Sequence, residues 1–397
     1  MFSALRNRDY RLYWGGTVIS WIGSHIQFAA QGWYVYQLTG GSFEVGVVGF
    51  FGQLPMLLTL LGGVVADRIN KRKLLIVVQT IFMLNAFLLG FLVAKGLAGV
   101  WTIAVFAFCA GIAGSFETPA RHALPIHLVG KADLMNAIAL NSAAFNVARI
   151  LGPALAGLLL AHIGVAWCFI FNGVSYIAVI AALFMIRSDT SPALDGSNPI
   201  WEDLIAGIRY VYKHPVLRTL VLMGGVQSLF VMQYLTLLPE LASEVLKVKA
   251  TGYGALTSCV GVGALLGALR LAGDKRGNGR GKALLIAGAI NSIALIMLSI
   301  SKIYALSAFL FLMVGIASVT YNQTINTLVQ TISDHKFRAR AVSAFIFVFL
   351  GMAPVGNLLA GSLAKSFGVT VPLVAGGVGV AAIMTLVALT QPEVRNL

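Results

Sequence analysis

GGVVADRINKRK, residues 62–73, ends an apolar run abruptly. No charged residue occurs from Val45 to Ala66; Asp67 then appears, followed by Arg68, Lys71, Arg72 and Lys73. A helix needs about 20 apolar residues to cross a bilayer, so the run is long enough to span one. Read this way, the stretch is the mouth of a membrane span, with one carboxylate at the exit and a basic cluster behind it. The rest of the chain repeats that alternation.

Of 397 residues, 58% are hydrophobic and 11% charged, and the mean hydropathy is +0.87. Soluble domains are typically about 25% charged, so this chain lacks the polar side chains to cover a water-facing surface. It reads as an all-α integral membrane protein. Apolar runs between charged breaks predict twelve spans: 12–38, 44–66, 74–94, 99–120, 134–161, 165–186, 216–239, 250–272, 283–301, 303–331, 341–365 and 369–390. The N-terminal MFSALRNRDYRLYWGG has bases before an apolar stretch that runs well past Trp33, which predicts an uncleaved first helix.

The formal charge of +14 would suggest nucleic acid on a soluble protein; its placement argues otherwise. Of 28 Lys and Arg, 22 fall at the N-terminus, the C-terminus and the even-to-odd loops. Five fall on the other side (Lys95, Lys247, Lys249, Lys302 and Lys365), and Arg149 lies within a span. This bias predicts that both termini and the central linker are cytoplasmic, and it points to no nucleic-acid partner. Cys109, Cys168 and Cys259 all lie in apolar runs, which argues against a disulfide framework and against a metal site.

The expected organisation is two six-span bundles, 1–186 and 214–397, joined by a cytoplasmic linker, 187–213. Within the linker, Trp201, Leu204, Ile205, Ile208, Val211 and Tyr212 share one face of a short helix expected to lie on the membrane surface. The halves echo each other. A shift of 204 residues superposes Gly63 on Gly267, Gly157 on Gly361, Gly164 on Gly368 and Gly173 on Gly377. Parallel halves related by an axis along the membrane normal are a known transporter plan, with the substrate site between them near the midplane.

GVVADRINKRKLL resembles the signature loop of the major facilitator superfamily, Gly-x-Leu-Ala-Asp-Arg-x-Gly-Arg-Lys. Gly63, Asp67, Arg68, Lys71 and Arg72 occupy matching positions, while Asn70 stands where the pattern has glycine. The resemblance implies the major facilitator fold of twelve spans in two pseudo-symmetric bundles. It also implies that Asp67 is a latch near the start of span 11, helping to close the cytoplasmic side. A helix N-terminus favours a carboxylate, and Gly63 is expected to permit close helix approach. The plainer reading is a helix end with orienting charges. The second copy, GALRLAGDKRGNGRGK from Gly267, has Leu271 in place of the aspartate.

In span 5, Gly152, Pro153 and Gly157 resemble the motif of the superfamily's antiporters, with Ala148 at one expected glycine. A generic packing motif is the alternative. Arg149 lies about 22 Å into that span at helical rise, where an unpartnered charge is costly. It is either an anchor for substrate or a structural Arg tied to neighbouring backbone. For Glu117, near the cytoplasmic end of span 4, the resemblance implies a salt bridge to Lys71 or Arg72; proton coupling is the alternative for a buried carboxyl. Span 4 lacks the membrane-embedded arginine that many of the superfamily's proton-coupled drug exporters carry; Ala107 stands near its expected place.

Candidate cavity residues are the stripe Gln27 and Gln31 in span 1, with His25 off that stripe. Others are Phe145 in span 5, Gln227 and Tyr234 in span 7, Gln323 and Asn326 in span 10, and Phe345 and Phe349 in span 11. Polar stripes either line a cavity or join helices. No metal-ligand spacing, Walker loop or nucleotide fingerprint appears, so neither an enzyme nor an ATP-driven pump is expected.

LRNRDYRLYWGG, AAQGWYVYQLTG, ETPARHALPIHLV and NAIALNSAAFNVARILGPALAGLL resemble the bacterial branch containing the enterobactin exporter and macrolide-efflux proteins. That resemblance implies a monomeric, multi-pass protein of the bacterial cytoplasmic (inner) membrane. It would export a small amphipathic substrate, drug or siderophore-like, by alternating access, without a cofactor and with the proton gradient as its energy source. An importer or uniporter of a small nutrient, or a lysophospholipid-type flippase, uses the same fold. Few acidic residues face the expected cavity, which favours neutral or anionic substrates.

Overall fold

The computed structural model describes residues 2–190, 200–273 and 279–396, and among these every regular element is helical. The linker residues 191–199, part of the second signature copy at 274–278, and the side chain of Trp201 lie outside the described residues. The helices are α1 (Arg8–Thr39), α2 (Ser42–Arg68), α3 (Lys71–Ala94), α4 (100–129), α5 (131–162), α6 (Val165–Met185) and α7 (Ile200–Lys213). The second half contributes α8 (Pro215–Val245), α9 (Ala250–Gly273), α10 (Arg280–Ile300), α11 (Tyr304–Ile332), α12 (Arg338–Phe367), α13 (Thr370–Thr390) and α14 (Pro392–Asn396). Local irregularities follow the sequence: a 3₁₀ stretch spans Leu54–Leu58 around Pro55 in α2, and π-helical turns at Gln227–Val231 and Leu241–Val245 interrupt α8.

Ten helices among the described residues are long and apolar enough to cross a membrane, against twelve expected. The difference arises at two places. α1 has 32 residues, but its serines, glutamines and glycines dilute its hydropathy. α4 and α5 run together as one helical segment, Val100–His162, broken by Gly130 at φ 70° and ψ −179°. That left-handed φ suits glycine alone. The chain folds back there. Arg121 in α4 and Phe145 in α5 would stand about 36 Å apart along a straight helix, yet both touch Trp21, at 4.9 and 5.6 Å.

The chain groups into two compact units. Unit 1 comprises Met1–Leu38, Phe51–Ser197 and Lys249–Ser258; unit 2 comprises Thr39–Phe50, Asn198–Val248 and Cys259–Leu397. Thus the first turns of α2 group with unit 2, and the first turns of α9 with unit 1.

In unit 1 the core is built on Tyr10, Tyr13, Leu75, Leu124 and Leu183, with Phe82 stacked on Tyr176 at 5.6 Å. Its basic end is tied by side chain to backbone bonds. Asn7 donates to Leu128 O at 2.6 Å, and Ala4 N–H donates to Asn136 Oδ1 at 3.0 Å. Asp9 accepts from the backbone N–H groups of Arg187 and Ser188. Arg72 donates to Phe184 O at 2.8 Å, among the unpaired carbonyls at the α6 C-terminus.

Three of the four glycine pairs found by the 204-residue shift hold equivalent places. A Cβ on Gly157 would stand 2.8 Å from Ala250 O at the start of α9; one on Gly361 would stand 2.9 Å from Phe43 Cα at the start of α2. Gly164 and Gly368 both have φ near +90° (90° and 81°). Gly173 faces Phe87 in α3, and Gly377 faces Ile296 in α10. The fourth pair fails. A Cβ on Gly63 meets open space, whereas one on Gly62 would collide with Ser115 O of α4. The close approach expected at Gly63 therefore belongs to Gly62, one residue and about 100° round the helix.

In unit 2, α7 packs Leu204 and Val211 inward, with Gly207 against the Arg340 carbonyl of α12. Ile205 and Tyr212, 55% and 68% exposed, stay on its outer side. The apolar face is thus divided between protein and surroundings. α2 begins on a carboxylate: Ser42 N–H donates to Glu240 Oε2 at 2.9 Å. Beside it Glu44 lies 3.9 Å from Lys365.

Candidate functional site

Two faces of α1 organise unit 1. Small and polar residues face α6, where Ser24 Oγ lies 3.0 Å from Tyr176 OH and Gln27 Oε1 accepts from Asn172 Nδ2 at 2.7 Å. Gln27 therefore joins helices rather than lining a cavity, because Asn172 stands opposite it on α6; Gln31, one turn on, is half-buried. The other face, one helical turn apart at Trp21 and His25, meets Phe145 of α5 at 5.6 and 5.3 Å. His25 Nδ1 pairs with Trp21 O at 2.9 Å. Gly152 of α5 leaves no room for a side chain over His25 Cβ, so the close approach of α5 to α1 depends on it.

Below this contact is an open cavity of about 300 Å³. Trp21 and Phe145 form aromatic walls, Arg121 and His122 come from α4, and Asn141 and Ser142 from α5. Of the candidate cavity residues, Phe145 alone lines it. Arg121 lies one residue past the expected end of span 4, at 120, and so among the charges of the 4–5 loop. The signal that could have found it is its spacing from Glu117: four residues place both on one face of α4. The structure pairs them at 3.2 Å, with side chains 18% and 13% exposed. Glu117 therefore pairs within its own helix instead of with Lys71 or Arg72. Gln79 also donates to Glu117 at 3.4 Å. The Arg121 guanidinium lies 4.9 Å from the Trp21 ring, within cation–π range.

The signature loop has a structural role legible atom by atom. Asn70, at the family's glycine position, has φ −58° and ψ 116°, which any residue adopts, and caps α3 by accepting from Lys73 N–H at 3.1 Å. It also accepts from the Thr190 hydroxyl at 2.9 Å. Lys71 is buried, and Arg68 is exposed. Asp67 is exposed, and its side chain makes no hydrogen bond or ion pair among the described residues. In α5, Pro153 O faces Gly254 and Gly157 faces the first turn of α9, so the span-5 motif packs against α9. Arg149 is half-buried and forms no ion pair among the described residues.

The unit 2 candidates separate into two groups. Gln227 and Tyr234 are buried in packing, at 0% and 2% exposure, because their turns of α8 face the unit's interior. Phe345 is likewise buried, against Gly224, and lies 6.0 Å from Phe349. Gln323 is exposed and Asn326 half-buried on α11, where Gln330 donates to Asn326 Oδ1 at 3.0 Å. No group of three or more metal-ligating side chains occurs among the described residues.

A family described as transmembrane secretion effector matches residues 1–396. The chain belongs to this family, within the major facilitator superfamily. It is therefore a membrane transporter rather than an enzyme. Over 386 residues it is 26% identical to the multidrug efflux pump Tap of Mycolicibacterium fortuitum, covering 94% of this chain and 93% of Tap. It is 26% identical to the staphyloferrin A transporter of Staphylococcus aureus, over 90% of both chains. It is 25% identical to the enterobactin exporter EntS of Shigella boydii, over 90% of this chain and 83% of that protein. The fold matches the inward-facing, unoccupied structure of a bacterial homologue of the human lysosomal transporter Spinster. There the TM-score is 0.77 at 15% identity, over 98% of each chain. The likeness to the enterobactin-exporter branch read from the sequence agrees with these relatives.

Proposed function

We propose that this secretion-effector family member exports a medium-sized amphipathic molecule, drug-like or siderophore-like, by alternating access coupled to proton entry. The observation that carries the reading is the match over at least 90% of the chain to relatives named for multidrug efflux, staphyloferrin A transport and enterobactin export, joined to an aromatic, partly polar cavity inside unit 1. In this account the chain works as a monomer in a bacterial inner membrane, with both termini cytoplasmic. Residues 1–186 and 214–397 are the moving bundles. Asp67 latches the cytoplasmic side with Arg68, Lys71 and Arg72 around it. Gly152, Pro153 and Gly157 set the close helix contacts that the motion makes and breaks. Arg149, deep in α5 and without an ion partner among the described residues, is a contact for substrate.

The test uses everted membrane vesicles holding an established pH gradient. Neutral, anionic and cationic amphiphiles are added in turn. Dissipation that requires the protein supports proton-coupled export. If saturating substrate crosses the membrane while the gradient stays intact, proton coupling is wrong and a facilitator takes its place.

A further inference from the structure

The Glu117–Arg121 pair separates two cavities of different character. The smaller, about 10 Å³, is lined by Thr17, Gln79, Glu117 and Arg121 among others. It is large enough for one water. Two of its lining residues carry a buried polar atom without a hydrogen-bond partner among the described residues, Gln79 at Oε1 and Arg121 at Nε. The larger cavity, about 300 Å³, shares Trp21 and Arg121 with it, but Glu117 lines only the smaller one. The large cavity therefore sees the arginine and not its carboxylate.

Arg121 is also under-used. A guanidinium carries five N–H donors; among the described residues one acceptor, Glu117 Oε1 at 3.2 Å, engages them, and Nε–H is buried, which leaves the terminal N–H groups for a ligand. Burial of the stem, the Trp21 face and Glu117 together hold the head in one place. Such a fork is suited to a planar oxyanion, which can take two parallel hydrogen bonds. Trp21 and Phe145, at 88° to each other, offer a ring a face and an edge. Asn141 and Ser142 supply neutral polar contacts beside them. The volume sits at the lower end for small-molecule sites and admits one or two fused rings rather than a whole siderophore.

We propose that this cavity is the subsite for an aromatic carboxylate group of the transported molecule, with Arg121 as its anion anchor and Glu117 as the residue that positions Arg121. The proposal rests on the exporter reading and names the part of the substrate that unit 1 grips.

The experiment titrates the purified, detergent-solubilised full chain with three probes that share one ring system: 2-naphthoate, 2-naphthamide and 2-naphthylmethylammonium. Calorimetry should give naphthoate at least a tenfold tighter Kd than the amide, and the cation the weakest. Arg121→Gln alone strands Glu117 and risks misfolding, so the Glu117→Gln/Arg121→Gln double variant is measured beside it. In the double variant the naphthoate preference should disappear while amide binding persists. Ser142→Trp, which leaves the ion pair intact, should block naphthoate and amide alike. A pair with a merely structural role would leave the preference unchanged in the folded double variant, and that result overturns the proposal. Equal affinity for acid and amide, or no binding of naphthoate to the folded wild type, overturns it too. The two readings fail separately. Amphiphile export without charge preference sinks the anion subsite alone, whereas naphthoate binding without export of any amphiphile sinks the exporter.

Discussion

Removing the Asp9 carboxylate should loosen the basic end of unit 1, by an amount that depends on pH in a defined direction. Asp9 lies in the first turn of α1, outside the apolar part, and is 7% exposed. Its Oδ2 accepts from Arg187 N–H at 2.9 Å, Ser188 N–H at 2.8 Å and the Ser188 hydroxyl at 2.7 Å. Its Oδ1 accepts from Arg8 at 3.0 Å, a bond discounted because Arg8 is 44% exposed. Burial alone would raise the pKa, but the Ser188 hydroxyl, the two backbone N–H groups and Arg8 outweigh it and hold the folded value below the ordinary 3.8. Hydrogen bonds to a charged group contribute about 1.5–3 kcal/mol each, but Arg187 and Ser188 regain water when released, so Asp9→Ala should cost roughly 2–4 kcal/mol in all. For a chain of this length that is a fall of about 4 °C in Tm. Because the folded pKa is lowered, the stabilisation is complete well above 3.8 and is lost as pH falls through the folded value. Unfolding in detergent, followed by tryptophan fluorescence from pH 7 to pH 3, should show the wild type and Asp9→Ala converging below about pH 4. A gap that persists undiminished at pH 3, or one under about 0.5 kcal/mol at pH 7, refutes the reasoning.

Gly62→Val should collide with the Ser115 carbonyl and cost about 1–3 kcal/mol or prevent folded expression, while Gly63→Val, facing open space, should be tolerated; size-exclusion profiles and thermal unfolding decide between them. Asn70→Ala should cost about 1 kcal/mol through loss of the α3 cap, and Asn70→Gly only a few tenths; equal losses would mean the side chain does not cap. Gly157→Leu and Gly361→Leu should damage stability to similar extents, since each glycine faces the first turn of its partner helix. Clear damage from one and none from the other would break the equivalence of the two repeats.

The helical, membrane-spanning architecture was legible because it rests on composition and on the spacing of charged breaks, which burial does not alter. The repeat was legible at glycines with demanding environments, Gly157 with Gly361 and Gly164 with Gly368. It misled at Gly63, where two adjacent glycines made the register ambiguous by one residue. The site was less visible. A polar stripe such as Ser24, Gln27 and Gln31 looks alike whether it meets water or a neighbouring helix, and only the position of Asn172 settles Gln27. Gln227 and Tyr234 have the same ambiguity. Arg121 was hidden for the opposite reason: it stands beside loop charges in sequence, yet the helix continues past it to Gly130, carrying it inside. Its spacing from Glu117 was the available clue.

Export itself is tested most directly by the direction of transport. Everted and right-side-out vesicles are prepared from cells with and without the protein, energised identically, and given an amphiphilic fluorescent carboxylate. Protein-dependent accumulation inside everted vesicles, diminished by Ser142→Trp, is the predicted result. Accumulation confined to right-side-out vesicles would contradict the account and make the chain an importer.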